Sequence, residues 1–440
     1  MRYIFKQRKF SFHIILIALA FLFTQCVDEP SSPPLSSEQQ SDIVMERVSS
    51  TIVYSGIIEG AEYFISIPEP WNGDLIIYAH GYYATTETWT PDDKIGDSFF
   101  SDIVNDMQYA YATTSYRANG LVIREGVWDL VNLVDQFASI TGKSPKIIYL
   151  VGASEGGLIS TLAIEQYPNK FSGGLGLCGP IGDFVKQLNV IGDFRVVFDY
   201  FFPNVLPQWS PLNPLIPQYV IDNWDGPTGY EQAVKNAIKA NNDKRTQLIK
   251  VTKTTVDKND IEAVCDAVAE LIWYNVFGTN NANDVLGGQP FDNSRKFYFG
   301  SKNDFKLNRN IQRFRADAAA INYVETFYQT SGILERPLVT EHTTGDHLTP
   351  YWHQSLYRIK TSQTGSRVLH TNMPVFKYGH CNFEIEDVLA GFSILVLKVT
   401  LQQLLVPETI FVKENSKLQF VRMAKQYGAK PMLAKVIERN

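Results

Sequence analysis

The segment 146–157 reads KIIYLV followed by GASEGG, and it decides the fold. Its first six residues are an apolar run of strand length, and residues 156–167 have a helical pattern. Between them, residues 152–156 form a G-x-S-x-G sequence. In a strand–turn–helix setting, such small residues permit the strained turn that presents a serine hydroxyl above a sheet. The pattern therefore predicts that Ser154 is a nucleophile.

Short β-rich runs alternate with helical patterns on both sides of this segment. The predicted strands are 50–58, 61–67, 74–79, 109–115, 146–151, 173–177, 338–343 and 368–371. The predicted helices outside the middle of the chain are 126–140, 156–167, 351–359 and 384–405. Such alternation predicts an α/β fold, with a mostly parallel sheet covered by helices on both faces.

The alternation stops in the middle of the chain, where residues 182–336 are mostly helical. The strongest helical patterns there are 232–240, 260–277 and 311–329. A helical block inserted into an α/β sheet is expected to cover the carboxyl ends of the strands, where such folds bind ligands. We therefore predict a core of residues 48–181 and 337–405, a helical cap of residues 182–336, and a tail of residues 406–440.

The N-terminal segment has the organisation of an export signal. It begins with four basic residues, Arg2, Lys6, Arg8 and Lys9. An apolar run follows, FSFHIILIALAFLF at 10–23, which is short for a membrane span. The sequence Thr24-Gln25-Cys26 comes next. This arrangement resembles a bacterial lipoprotein signal, in which the cysteine becomes the lipidated N-terminus.

The resemblance implies a signal peptide at 1–25, lipidation at Cys26 and attachment to a membrane of the bacterial cell envelope. Phe23 and Gln25 depart from the usual pattern, and the alternative is an ordinary signal peptide with an incidental cysteine. Either alternative predicts export. Residues 28–40 (DEPSSPPLSSEQQ) cannot bury apolar surface, so residues 26–47 are predicted to form a tether.

The overall composition excludes several classes of protein. The 440 residues are 45% hydrophobic and 20% charged, which excludes a mostly disordered chain, a collagen and a coiled coil. The net charge of −6 is unsuited to nucleic-acid binding, which needs a basic surface. Four cysteines are too few for a disulfide-rich scaffold.

An acid and a base follow Ser154 along the chain. A serine hydroxyl is a weak nucleophile and needs a general base that an acid orients. Asp346 lies just past the predicted strand 338–343, and His380 lies in YGHC at 378–381, after the next strand. The competing acid is Asp304, which follows a strand-like KFYF run but lies much further from His380 in sequence. We favour Asp346.

With these three motifs in this order, the sequence resembles the α/β-hydrolase fold family over nearly all of residues 48–405. The resemblance implies that Ser154 is the nucleophile, His380 the general base and acid, and Asp346 the acid that orients the imidazole. It also implies an oxyanion hole formed by two backbone N–H groups. One belongs to Glu155, and the other to Tyr82 in the HGYY sequence that follows the strand 74–79. His80 is expected to brace this loop.

Three cysteines remain after Cys26. Cys381, beside His380, is similar to its counterpart in tannase-like and feruloyl esterases, which pair a cysteine before the serine with one after the histidine. Here Ala153 precedes the serine. Two alternatives are open: Cys178, just past the strand 173–177, bonds Cys381, or both thiols are free.

The remaining chemistry-bearing residues suggest no cofactor or metal. Three histidines cluster around Asp346 without the spacing of a metal site, so we assign them to packing and surface positions: His342, His347 and His353. Ten aromatic residues of the cap region are expected either to form an apolar substrate pocket or to fill the core of the cap: Phe184, Phe194, Phe198, Tyr200, Phe201, Phe202, Trp209, Trp224, Trp273 and Tyr274.

Three functions are compatible with these features. The favoured one is an exported serine hydrolase that cleaves carboxylic esters through an acyl-enzyme, acting on a small-molecule substrate without a cofactor. The second is a prolyl-oligopeptidase-like serine peptidase, suggested by PFDN at 290–293 and the helix after it. The third is a non-catalytic surface-binding protein, which would not need a serine, an acid, a histidine and an oxyanion loop together. The natural substrate stays open.

Overall fold

The computed structural model describes residues 44–48, 50–91, 94–95 and 98–404. The predicted signal peptide, the lipidation site Cys26 and the predicted tail at 406–440 lie outside these residues. The first described element is a strand, β1 (Val44–Val48), so regular structure begins inside the stretch 26–47 that was predicted as a tether. Within the described chain, no helix combines the length and the apolar character needed to cross a membrane.

One large sheet forms the centre of the described chain. Its other strands are β2 (Thr51–Ile58), β3 (Ala61–Pro68), β4 (Leu75–Ala79), β7 (Ala110–Thr114), β8 (Ile148–Ala153), β9 (Gly173–Leu177), β10 (Leu338–Gly345) and β11 (His370–Tyr378). The order across the sheet is β1-β2-β3-β7-β4-β8-β9-β10-β11. The pairs from β1 to β7 are antiparallel, and every neighbouring pair from β7 to β11 is parallel. Two short strands, β5 (Lys94–Ile95) and β6 (Ser98–Phe99), pair with each other separately.

Helices flank the sheet and fill the long connection between β9 and β10. The core helices are α1 (Phe100–Asp106), α2 (Ile123–Thr141), α3 (Glu155–Gln166), α11 (Trp352–Gln363) and α12 (Ile385–Leu404), and Ser366–Val368 is a 3-10 helix. The helices between β9 and β10 are α4 (Phe184–Phe201), α5 (Gln218–Asp222), α6 (Tyr230–Ala240), α7 (Asn242–Thr252), α8 (Ile261–Leu286), α9 (Asp304–Asn310) and α10 (Ala318–Phe327).

Both faces of the sheet are buried, as β4 shows. Successive strand side chains point to opposite faces. Leu75 and Ile77 belong to the core shared with α2 and α3, whereas Ile76 and Tyr78 belong to the core shared with α1 and α12. A mostly parallel sheet covered on two faces, with a helical insertion, confirms the predicted α/β fold class.

The helical insertion has a core of its own. Helices α4 to α9 bury a common set of aromatic and aliphatic side chains, which includes most of the aromatic residues singled out in the sequence: Phe194, Phe198, Phe201, Phe202, Trp209 and Trp224. Helix α10 differs, because its Ala320 and Val324 pack into the core on the α2 and α3 face of the sheet. The last helix of the predicted cap therefore packs with the α/β core.

Several predicted elements differ from the structure in their bounds. The helix predicted at 311–329 is shorter, because α10 begins only at Ala318. The strand predicted at 368–371 is longer, since β11 continues to Tyr378. Its side chains alternate between half-buried and exposed positions near the edge of the sheet, so its apolar pattern is weak. The KFYF run at 296–299 is not a strand.

Candidate active site

Ser154 lies in a strained turn between β8 and α3. Its backbone angles are φ 55° and ψ −119°, in the positive-φ region that non-glycine residues rarely adopt. The turn is held in place because the Ser154 N–H donates a hydrogen bond to the carbonyl oxygen of Leu177 at the end of β9 (2.9 Å). The serine is therefore at the carboxyl edge of the parallel strands, as the sequence predicts.

The glycines on either side of Ser154 are required by close packing. A Cβ at Gly152 would lie 2.1 Å from the carbonyl oxygen of Gly156. A Cβ at Gly156 would lie 2.0 Å from the carbonyl oxygen of Ala79, at the end of β4. Both distances are far below van der Waals contact. The G-x-S-x-G sequence thus lets the N-terminus of α3 approach the ends of the neighbouring strands.

A hydrogen-bonded chain joins Ser154, His380 and Asp346. The Oγ of Ser154 is 2.8 Å from Nε2 of His380, and Nδ1 of His380 is 2.8 Å from Oδ2 of Asp346. If Nδ1 carries the proton and donates to the carboxylate, Nε2 is free to accept the serine proton. The structure thus brings together the three residues proposed from the sequence, at the carboxyl ends of β8, β10 and β11.

Asp346 is buried and fully hydrogen-bonded. Its Oδ1 accepts the backbone N–H groups of Leu348 (2.9 Å) and Thr349 (2.8 Å). Its Oδ2 also lies 3.3 Å from Nε2 of His342. Burial alone would raise the pKa of Asp346, but His380 and His342 together hold it well below its usual range. The carboxylate therefore stays charged and fixed in direction.

The competing acid, Asp304, occupies a different kind of site. It is the first residue of α9, and its Oδ1 accepts hydrogen bonds from the backbone N–H (2.8 Å) and the hydroxyl (2.6 Å) of Ser301. These bonds organise a turn in the helical insertion, and they lower the pKa of Asp304, the Ser301 hydroxyl contributing most. The acid that contacts His380 is Asp346.

The loop after β4 lies against the serine, as the oxyanion-hole proposal requires. A Cβ at Gly81 would lie only 3.3 Å from Cβ of Ser154. Tyr82 and Glu155 both line the cavity at Ser154. Within the described residues, neither of their backbone N–H groups has a hydrogen-bond acceptor. Both amides are therefore available to a developing negative charge.

His80 has a bracing position in this loop. It is buried, and its Nδ1 is 2.7 Å from the carbonyl oxygen of Gly81. Its ring stacks on Tyr116 with a centroid distance of 4.1 Å, and the Tyr116 hydroxyl donates to the His80 carbonyl (3.2 Å). These contacts hold the backbone of the loop.

Cys178 and Cys381 form a disulfide, with their Cα atoms 5.4 Å apart. Cys178 directly follows β9 and Cys381 directly follows His380, so the bond ties the histidine loop to the sheet beside Ser154. Both cysteines have positive φ angles, 47° and 49°. Within the described chain, the one group of side chains spaced to hold a metal is His380 with these two cysteines, whose sulfurs are already bonded to each other.

The histidines around Asp346 have separate hydrogen-bonding roles. His342 is buried, and its Nε2 lies 2.7 Å from the Thr349 carbonyl while its Nδ1 accepts from Gln354 (3.1 Å). His353 is buried too, and its Nδ1 accepts the backbone N–H of Gly182 (3.0 Å). Burial holds the pKa of His353 well below its usual value.

His347 reaches the helical insertion instead. Its Nε2 lies 2.7 Å from Oε2 of Glu270 on α8. Glu270 also acts on the site electrostatically. Burial would lower the pKa of His380, but Asp346, with a smaller contribution from Glu270, raises it above its usual value. Neither Glu270 nor the buttressing role of His342 was identified from the sequence. His342 sits on β10 four residues before Asp346, and this spacing could have indicated it.

A cavity of about 140 Å³ extends from Ser154 beneath α4 and α8. Its wall is mainly apolar, and the apolar residues that line it include Phe184, Leu188, Ile191, Trp209, Phe291 and Leu348. Of the described residues that line it, Glu155 has the one acidic or basic side chain. The aromatic residues of the cap region thus serve in both predicted ways, as a core and as a pocket wall.

Glu155 directly follows Ser154, and its side chain is shielded from solvent. The residue is buried, and its Oε1 accepts the backbone N–H of Val122 (3.0 Å). Burial raises the pKa of this carboxyl to about 8, although the Val122 bond opposes the shift. At neutral pH the cavity wall is therefore uncharged.

No protein-family model matches the chain, and no curated protein matches its sequence. Among solved structures, the acylaminoacyl peptidase of Pyrococcus horikoshii aligns at 10% identity and a TM-score of 0.40, over 83% of this chain and 42% of that one. An esterase from Aspergillus oryzae aligns at 12% identity and a TM-score of 0.40, over 75% and 73%. Prolyl oligopeptidase B from Galerina marginata aligns at 11% identity and a TM-score of 0.38, over 90% and 38%. The chain spans less than half the length of both peptidases.

The disulfide leads to a testable expectation. Replacing both partners, Cys178→Ser with Cys381→Ser, should lower the free energy of unfolding by about 2–5 kcal/mol, because the bond closes a long loop of chain. Denaturant unfolding of the oxidised protein measures this loss. Treatment of the unsubstituted protein with a reductant should reproduce it.

The free thiol of Cys265, which is buried in the helical insertion, provides the control. Cys265→Ala should not change the response to reductant. An oxidised protein in which alkylation and mass spectrometry find Cys178 and Cys381 both free would contradict the bond.

Proposed function

We propose that this protein is a serine hydrolase that cleaves carboxylic esters through an acyl-enzyme. The observation that carries the proposal is the chain from Ser154 Oγ to His380 Nε2 and from His380 Nδ1 to Asp346, with both distances at 2.8 Å. In this arrangement the imidazole takes the serine proton as Oγ attacks a carbonyl carbon, and Asp346 stabilises the imidazolium that forms.

The groups around Ser154 fit the later steps as well. The N–H groups of Tyr82 and Glu155 would stabilise the oxyanion of the tetrahedral intermediate. His380 would then protonate the leaving alcohol and activate a water molecule that hydrolyses the acyl-enzyme. Every group that acts in these reaction steps is a side chain or a backbone amide of the protein itself, so the proposed reaction needs no cofactor.

The cavity favours a substrate whose bound group is uncharged and apolar. Its wall is mostly apolar, and its one carboxyl, Glu155, is neutral below a pKa of about 8. A peptidase that binds a charged peptide terminus needs a charge of opposite sign in its pocket. Because none is present among the described lining residues, a peptidase that recognises a charged terminus has less support than an esterase.

The direct test is hydrolysis of p-nitrophenyl esters of increasing acyl length, alongside several peptide anilides. Ester turnover should be measurable, and Ser154→Ala should reduce it by about 10⁴-fold or more. Asp346→Asn should cost up to about 10⁴-fold, because the imidazole loses its orienting acceptor. Initial rates with the purified protein measure both effects.

Asp304→Asn is the matched control, since it alters an aspartate that has no contact with the site. It should leave the turnover of esters unchanged. Cleavage of anilides without cleavage of esters would establish the peptidase instead. A folded protein with neither activity would favour the non-catalytic binding protein.

The pH profile tests the electrostatics of the site. Hydrolysis should rise with pH as His380 loses its proton, with a midpoint above its ordinary pKa of 6.5 because Asp346 stabilises the imidazolium. Above about pH 8, ionised Glu155 places a negative charge next to the oxyanion, so the rate should fall again. Glu155→Gln should abolish this fall and preserve the rise. Measured kcat/KM from pH 5 to 10 gives both limbs.

Glu270→Gln serves as the control for this profile. Because Glu270 helps to raise the pKa of His380, its loss should shift the rising limb toward lower pH and leave the falling limb in place. An alkaline fall that persists in Glu155→Gln would assign that limb to another group.

We also propose that the mature protein is exported and attached to a membrane of the bacterial cell envelope through a lipidated Cys26. The basic and apolar segments before Cys26 support this, and so does the disulfide, since such bonds persist in oxidising compartments. Mass spectrometry of the mature N-terminus should find an acylated Cys26. A free, unacylated end downstream of this residue would exclude the anchor.

A further inference from the structure

Three phenylalanines form an exposed cluster on the helical insertion, which we call the phenylalanine patch: Phe297, Phe299 and Phe305. Their exposed fractions are 42%, 66% and 82%. The ring of Phe297 contacts the other two, with centroid distances of 4.6 Å to Phe299 and 6.2 Å to Phe305. Three large apolar side chains grouped together in water are costly, and such groups mark interaction surfaces.

Tyr298, which lies between Phe297 and Phe299, anchors the segment that carries these two rings. Tyr298 is only 3% exposed, and its hydroxyl donates to Oδ1 of Asp193 on α4 (2.5 Å). Its backbone N–H and carbonyl group are both bonded to the side chain of Asn308, at 2.8 and 2.7 Å. These bonds hold Tyr298 inward, whereas Phe297 and Phe299 on either side of it are exposed.

Phe305, the third member of the patch, lies in the first turn of α9, which capping hydrogen bonds hold in place. The carboxylate of Asp304 accepts hydrogen bonds from Ser301, and the side chain of Asn303 accepts the backbone N–H of Lys306 (2.9 Å). These caps set the first turn of the helix and with it the direction of Phe305. The backbone that carries the exposed rings is therefore held by hydrogen bonds, which lowers the backbone entropy lost when they bind.

The segment that carries the patch is rich in exposed basic side chains. Five exposed basic residues lie between positions 295 and 309: Arg295, Lys296, Lys302, Lys306 and Arg309. This segment has one acid, Asp304, whereas the whole chain has a net charge of −6. Lys296 pairs with Asp193, and Lys302 with Asp243 (2.6 Å). The other three form no ion pair with any residue in the described part of the chain.

We propose that the phenylalanine patch docks on a lipid surface that carries anionic headgroups. Aromatic side chains insert at the boundary between headgroups and acyl chains, and basic residues around them are attracted to anionic lipids. Charge complementarity argues against a second copy of the chain, since a symmetric contact would bring two basic rims together. The docking would act independently of the proposed anchor at Cys26, and two such signals together bind a membrane more stably than one.

The test measures co-sedimentation with vesicles of phosphatidylcholine alone and of phosphatidylcholine with phosphatidylglycerol. A protein that begins at residue 41 keeps every described element and lacks the predicted signal segment and Cys26. This protein should bind the vesicles that contain phosphatidylglycerol, and added salt should weaken binding. The double variant Phe299→Ser with Phe305→Ser should bind at least about tenfold more weakly.

Two further variants separate apolar insertion from charge. Leu212→Ser removes a side chain that is 97% exposed but has no basic residue near it in sequence, and it should bind like the unsubstituted protein. Lys306→Gln with Arg309→Gln should lose the preference for phosphatidylglycerol. All these side chains are exposed, so the thermal unfolding midpoint should stay constant and verify folding.

Several outcomes would overturn the proposal. These are no binding to either vesicle, equal binding to both, or binding that the phenylalanine variant retains. Sedimentation equilibrium provides the last check. A dimer of residues 41–440 that Phe299→Ser with Phe305→Ser dissociates would show that a second copy of the chain covers the patch instead.

Discussion

The turn around Ser154 leaves no space for a side chain at Gly152 or Gly156, and the rest of the site depends on this constraint. Gly156 lets the start of α3 approach the end of β4, and Gly152 lets the end of β8 approach Gly156 itself, at distances that a Cβ would prevent. That approach brings the loop of Gly81 against the serine and places Cys178 beside it. The strain at Ser154 is balanced by close packing on every side, which is why the hydroxyl has a fixed direction.

Burial of a charge is the second constraint. Asp346 has no contact with bulk water, and a lone carboxylate in such a place would be neutral. Two backbone N–H groups and two histidines surround it instead, so the charge is retained at a position where His380 can use it. The network behind it continues from His342 to Gln354. These contacts explain why buried polar residues cluster on β10 and α11.

The sequence was sufficient for the α/β architecture and for the assembly of Ser154, Asp346 and His380, because both follow from local patterns. A strand, a glycine-rich turn and a helix are contiguous, and parallel strands necessarily bring their carboxyl ends to one edge. The cavity wall could not be predicted, since Trp209 and Phe291 converge only through the packing of α4 and α8. Glu270 was not identified from the sequence for the same reason, since it reaches the site only through the packing of α8. For KFYF at 296–299 the sequence was misleading instead. This run resembles a strand in composition, but it is a surface segment in which both phenylalanines are exposed.

The disulfide has a consequence for when the site becomes complete. A newly synthesised chain in a reducing compartment has free thiols at Cys178 and Cys381, so the loop that carries His380 is held by hydrogen bonds alone. Oxidation adds the covalent link to the end of β9. The proposed export step would therefore also add the last covalent support to the loop that carries His380.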